Sequence, residues 1–287
     1  MNLVPSLRLV LCSLALAGVS YGKLHAAALD GEAAVQGADI SYQSDGLKIT
    51  GIISKPAGRG PFPLVVINHG GFAPAKSAAG QMSFFAGKGY VAVASDYRGC
   101  GHSEGKSEVA KGEVNDVLNA IKFARTLPCV DGGRVVMWGF SHGASVSLLA
   151  ASRDESIKAV VAVQGPVEMA EEYARWTQMQ EKPGMKRMGD IGGLVGGTPA
   201  QMPAAWKERS ALYVADKIKC PVLLIYSDGD ADDIVPTSQG RRMEAALEAS
   251  GNKVSKLLLI PGVGHGLNKE TWSRLMPQML EFLQAAK

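Results

Sequence analysis

Eight short apolar runs, most of them separated by longer stretches of helical periodicity, predict an α/β fold with a mostly parallel eight-stranded sheet, helices on both faces and a small cap insertion. Three observations carry this reading. The later runs are continuously apolar rather than alternating, as strands covered on both faces require. Runs and helical stretches follow a βαβ rhythm, which right-handed crossovers turn into a parallel sheet. Without a leader, the chain has a length of about 260 residues, enough for one domain with a full-sized core.

Taken in order, residues 1–28 read as a secretory leader. Arg8 precedes an apolar run that begins at Leu9 and ends at Val19, and Ala26-Ala27-Ala28 supplies an A-x-A cleavage site. That run is too short to span a bilayer, so a secreted or periplasmic protein without stable membrane insertion is expected. Cys12 follows Leu11 rather than a small residue, which argues against lipoprotein cleavage. The body, residues 29–287, reads as one domain. Strands are expected at 40–44, 47–54, 64–67, 90–95, 135–138, 159–163, 222–226 and 255–260, and helices at 113–127, 144–152, 238–250 and 271–285. Residues 166–210 break the rhythm. They are too long for a plain crossover and carry Met169, Met179, Met185, Met188 and Met202 with Trp176 and Trp206, the composition of a cap whose methionines adapt to apolar substrates. The glycine-rich run from Gly189 to Gly197 lacks the preceding strand that dinucleotide binding needs and is expected to act as a mobile hinge of that cap.

The chemistry is announced by Gly139-Phe140-Ser141-His142-Gly143, which joins a strand candidate to a helix candidate rich in small residues. A serine on so sharp a corner needs neighbours without bulky Cβ groups, and glycines two residues before and after it relieve the crowding. The hydroxyl then stands at the C-terminal edge of the sheet, above a helix N-terminus. Gly101-His102-Ser103-Glu104-Gly105 has the same spacing, but no strand enters it directly and a polar stretch leaves it, so Ser141 is the nucleophile candidate and Ser103 a decoy.

A nucleophilic serine needs a base, and the base an orienting acid. His265, in the glycine-flanked loop Pro261-Gly262-Val263-Gly264-His265-Gly266 after the last strand candidate, is free to reach the nucleophile edge of the sheet. His69 and His102 lie upstream of Ser141, and His142 adjoins it. The acid is expected between Ser141 and His265 in the chain. Asp228, Asp230, Asp232 and Asp233 crowd the loop after residues 222–226; Asp232 is preferred, with Asp233 and Asp230 behind it, because spacing does not tell which carboxylate faces inward. A calcium loop is a minor alternative, since the D-x-[DN]-x-[DN]-G pattern with its distal Glu is not completed. Asn68-His69-Gly70-Gly71-Phe72 follows a strand candidate where an HGG-type turn would aim backbone NH groups at a reacting carbonyl, and the NH of His142 would be the second donor.

These residues resemble those of a known family. Asp116 and Val117 on a helix, Pro128-Cys129-Val130-Asp131 leading to the elbow, Trp206-Lys207-Glu208-Arg209-Ser210, and the aspartate loop ending Val235-Pro236 are similar to the catalytic domain of prolyl oligopeptidase and acylaminoacyl peptidase relatives. The likeness runs from about Ile40 to the C-terminus. It implies the α/β-hydrolase fold, with Ser141 as nucleophile, Asp232 as acid, His265 as base and Gly71 as an oxyanion NH donor. Between the leader and the first strand there is no room for the β-propeller that many members carry. The elbow continues Gly143-Ala144 where many relatives have a second glycine, and dienelactone-hydrolase-like esterases share the fold.

The expected activity is therefore a cofactor-free and metal-free serine hydrolase acting on a small peptide, or alternatively on an ester; a non-catalytic ligand-binding protein is the remote third reading. A net charge of +3 without basic clusters interleaved with aromatics argues against nucleic acid as a partner. Cys100, Cys129 and Cys220 would remain after leader removal and leave one disulfide or none open, and no cysteine sits on a comparable elbow.

Overall fold

A computed structural model of the protein describes residues 29–71, 73–180, 189–229, 231–252 and 255–286. The leader expected at 1–28, Asp230, Met185 and Met188 lie outside the described residues. Eight strands form one sheet: β1 (Val35–Ser44), β2 (Leu47–Lys55), β3 (Phe62–Asn68), β4 (Val91–Ser95), β5 (Val130–Phe140), β6 (Ile157–Val163), β7 (Val222–Asp228) and β8 (Lys256–Pro261). Their order is β1-β2-β4-β3-β5-β6-β7-β8. β2 pairs antiparallel with β1 and with β4, and every other pairing is parallel.

The continuous apolar runs are explained by the pleat, which sends alternate residues to opposite faces. Leu64 and Val66 of β3, Val135 and Met137 of β5, and Leu224 and Tyr226 of β7 enter one core, with helices α2 (Gly112–Ala124), α3 (His142–Ala151) and α7 (Thr237–Ala249). Val65 and Ile67, Val136 and Trp138, and Leu223 and Ile225 enter the other, with α1 (Ala79–Ala86) and α8 (Lys269–Ala285). Helix α1 was not expected from the sequence. Its eight residues carry no charge, so no polar face marks it, and it is held by burial of Met82, Phe85 and Ala86.

All eight expected strands are present, with differences at their ends. β1 begins five residues before its apolar pattern, because Gly37 at φ 58° takes up a register shift between Val35 and Ala38. β5 begins at Val130 because the polar residues ahead of its apolar run still pair with β3 across a second irregularity. At the β2 end, Lys55 is fully buried and its ammonium donates to the carbonyls of Gly31, Ala33, Pro56 and Gly58, which fastens the first described residues to the sheet.

Among the described residues of the interval 166–210 are the short helices α4 (Met169–Gln180), α5 (Ile191–Val195) and α6 (Pro203–Glu208). They share a small core of their own built from Met169, Trp176, Ile191, Val195 and Trp206, together with Val109. The glycine-rich run expected to be a hinge is instead a helical turn fixed at both ends: the Asp190 carboxylate accepts from the Gly193 NH at 2.8 Å, and Gly196 closes the turn in the left-handed region at φ 99°. The described cap methionines sit in different surroundings. Met169 is buried against the cleft described below, Met179 packs on the cap core and Met202 is exposed.

Candidate active site

Ser141 stands between β5 and α3 with φ 53° and ψ −123°, a backbone conformation that a residue with a Cβ adopts only where its surroundings enforce it. The two flanking glycines are required by contact. A Cβ on Gly143 would lie 2.0 Å from the Asn68 carbonyl oxygen, and one on Gly139 would lie 2.3 Å from that of Gly143. The strand side of the turn is secured by the Ser141 NH, which donates to the Val163 carbonyl at 2.8 Å. On the other side the Asn68 amide donates to Ser147 Oγ at 2.8 Å, joining the end of β3 to α3.

The fold brings His265 and Asp232 to this corner from two further strand ends. His265 Nε2 lies 3.0 Å from Ser141 Oγ, and its Nδ1 lies 3.0 Å from Asp232 Oδ2. With Nδ1 protonated and donating to Asp232, Nε2 presents its lone pair to the serine hydroxyl. Phe140 packs against the imidazole, ring centroids 5.2 Å apart. Asp232 is 2 % exposed, and its second oxygen accepts from the NH groups of Ile234 and Val235 at 3.0 and 2.9 Å. Both carboxylate oxygens are thus engaged and aimed. Asp233 is exposed and offers only its backbone carbonyl, to Arg175 at 2.9 Å.

Gly71, at φ 58°, borders both clefts that meet at Ser141, and His142 opens helix α3 beside it. His69 is not a partner of the serine. Its Nε2 donates to the Ser95 carbonyl at 2.8 Å, Tyr97 packs on its ring, and burial lowers its pKa, so it anchors the Gly70-Gly71 turn as a neutral ring. Burial also lowers the pKa of His142. Ser103 is occupied elsewhere: its Oγ accepts from the Thr50 NH at 2.9 Å.

Two clefts flank Ser141. One, of about 470 Å³, is open and walled by Trp138, Phe140 and Trp272. The other holds about 60 Å³ and is enclosed by Val109, Pro166, Met169, Trp176, Ile234 and Val235. The aromatic wall was missed in the sequence. Its members come from β5, the elbow and the first turn of α8, and only Phe140 lay in a motif. Among the described residues, no group of His, Cys, Asp and Glu is arranged to hold a metal ion, and no helix is long and apolar enough to cross a membrane. No disulfide joins Cys100, Cys129 and Cys220; all three are buried, and burial pushes the Cys220 thiol up to about 12.

Comparison with known proteins places this geometry. The chain is 28% identical over 193 residues to the uncharacterized peptidase YtmA of Bacillus subtilis, an alignment spanning 67% of this chain and 72% of that one. It is 29% identical over 176 residues to the quorum-quenching protein AidA of Acinetobacter baumannii, spanning 58% of this chain and 57% of that one. A puromycin-hydrolyzing peptidase of Mycobacterium tuberculosis superposes with a TM-score of 0.73 at 22% identity; the match covers 87% of this chain and 39% of that one, and shows a shared fold. The model of the prolyl oligopeptidase family matches residues 76–286, a span that contains Ser141, Asp232 and His265 together. The chain belongs to the prolyl oligopeptidase family of serine hydrolases.

Proposed function

We propose that the protein hydrolyses an acyl bond of a small peptide or ester through a Ser141 acyl-enzyme. The observation that carries this reading is the unbroken Ser141–His265–Asp232 hydrogen-bond relay, both contacts at 3.0 Å. His265 Nε2 takes the Ser141 proton as Oγ attacks the carbonyl carbon, and returns it to the leaving amine or alkoxide. Asp232 fixes the tautomer and stabilises the imidazolium that forms. The oxyanion is held by the backbone NH groups of Gly71 and His142, the latter at the N-terminus of α3, where the helix dipole adds positive potential. Water then attacks the acyl-enzyme by the same route in reverse.

Family membership favours a peptide substrate, with an ester as the second reading because the relay serves both leaving groups. The clefts favour apolar groups: a short one in the enclosed pocket and a longer or aromatic one along Trp138, Phe140 and Trp272. Fluorophosphonate labelling with mass-spectrometric mapping tests the nucleophile; the adduct belongs on Ser141 and should vanish in Ser141→Ala. No adduct on the wild-type protein would turn the reading to ligand binding without turnover. Unactivated peptide amides and p-nitrophenyl esters assayed side by side separate peptidase from esterase. We propose further that residues 1–28 are removed on export to a secreted or periplasmic site, so that N-terminal sequencing of the secreted protein should begin at Leu29.

A further inference from the structure

We propose that Gln164 is a positioning residue that holds the loop carrying His265, an inference that rests on His265 being the general base. Gln164 follows the last residue of β6 and is wholly buried. Its neighbour Val163 accepts the Ser141 NH at 2.8 Å, and its own NH donates to the Ile225 carbonyl at 2.8 Å. The backbone here lies between the nucleophile corner and β7. From that point the side chain reaches toward the third strand end: Nε2 donates to Ser227 Oγ at 2.8 Å and to the Gly264 carbonyl at 3.0 Å. The Ser227 hydroxyl in turn donates to the Val263 carbonyl. The carbonyls of both residues preceding His265 are therefore held by one connected pair of side chains.

That pair matters because, beyond the contacts of the His265 ring itself with Ser141, Asp232 and Phe140, the backbone of the loop has few anchors. Among the described residues, no backbone–backbone hydrogen bond ties Val263, Gly264, His265 or Gly266 to the rest of the fold. Gly262 and Gly266 take φ of 67° and 79°, so the segment carrying the base is flanked by glycines in the left-handed region. The chemistry of the strut is specific. The amide uses both of its NH donors, and the serine accepts one while donating its own, so the bonding has a single direction from Gln164 to the two carbonyls. A carboxylate in the same place has no donor for the Gly264 carbonyl. Gln164 also sits at φ 47°, a conformation in which glycine would be at ease but would supply no side chain.

The test is a double-mutant cycle. Gln164→Met keeps the length and the backbone strain and removes the donors; Ser227→Ala removes the second link and serves if Gln164→Met fails to fold. With a p-nitrophenyl ester, Gln164→Met should lower kcat by about tenfold to a hundredfold through displacement of the base, with KM near the wild-type value. In a His265→Ala background the same substitution should cost almost nothing further, because the group it positions is gone. Wild-type kcat in Gln164→Met and Ser227→Ala overturns the proposal, as does a loss of equal size in the His265→Ala background. If His265→Ala alone retains wild-type kcat, the assignment of the base fails instead, and the two failures are told apart.

Discussion

Glu172 lies in the first turn of α4 with its side chain 0 % exposed, and neither carboxyl oxygen has a hydrogen-bond partner. The nearest cation, Arg175 Nε, is 3.9 Å away, while Glu171, Asp232 and Glu168 add negative potential. Burial dominates and raises the Glu172 pKa from 4.5 to about 8, so the acid is neutral at pH 7. The native state consequently keeps a proton that the unfolded chain releases. Stability from this group is fully present below pH 4.5, declines through the interval above it, and is lost once the pH passes about 8. At about 1.4 kcal/mol per pH unit the ceiling is roughly 5 kcal/mol, reduced in practice by local relaxation. Glu172→Gln keeps the shape and abolishes the titration. Urea unfolding of both proteins at pH 5, 7 and 9 should show wild-type stability falling relative to the variant across that range, by at least about 2 kcal/mol. Parallel pH–stability curves would refute the argument and place a charged, solvated Glu172 in the native protein.

Other expectations follow from single contacts. Asp232→Asn should lower kcat by several orders of magnitude while Asp233→Asn leaves it within about twofold, since only the former bonds the imidazole; steady-state kinetics on one ester decides it. Gly143→Ala should destabilise by about 3 kcal/mol and suppress fluorophosphonate labelling, because the new methyl meets the Asn68 carbonyl oxygen at 2.0 Å; thermal unfolding with labelling reads both effects. Arg98 is 5 % exposed and clamps the fully buried Asp116 at 2.9 Å through Nη2, which also meets Asp45, while Nη1 meets Glu108. Removing it in Arg98→Met leaves Asp116 buried without its cation and should cost about 3–5 kcal/mol in urea unfolding, most of which Asp116→Asn in the same chain should recover.

How far the site could be read from the sequence depends on the range of the forces that build it. The elbow is written in five consecutive residues because its constraint is local: the close approaches that forbid a Cβ at 139 and 143 arise from the turn itself and from the strand beside it. Asp232 and His265 were legible as types because each follows a strand end at the same edge of the sheet, which the βαβ rhythm already implies. Choosing among the aspartates was another matter. Asp232 is turned inward, toward His265, by accepting the NH groups of Ile234 and Val235, a turn geometry that no spacing encodes.

The aromatic wall, Gln164 and Glu172 were missed for a different reason. Trp138 and Trp272 meet at a ring-centroid distance of 5.4 Å across more than a hundred residues of chain, and Gln164 reaches Gly264 a hundred residues on. Such contacts are set by which strand ends lie together in the finished sheet, and each residue looks unremarkable in its own window. Glu171 and Glu172 make the point within one helix. Side by side in sequence they read as a solvated acidic pair, yet the helical period sets Met169, Glu172 and Trp176 on one stripe, the three buried residues of α4. Glu171 remains half-buried and pairs with Arg242. A one-residue step around the helix decides which carboxyl is buried, and the pattern that decides it was present in the sequence at i, i+3 and i+7. Its middle member is an acid, and a binary reading of apolar against polar assigns that residue to the wrong face. The buried stripe becomes visible only when its two outer members are seen to enclose the pocket beside Ser141.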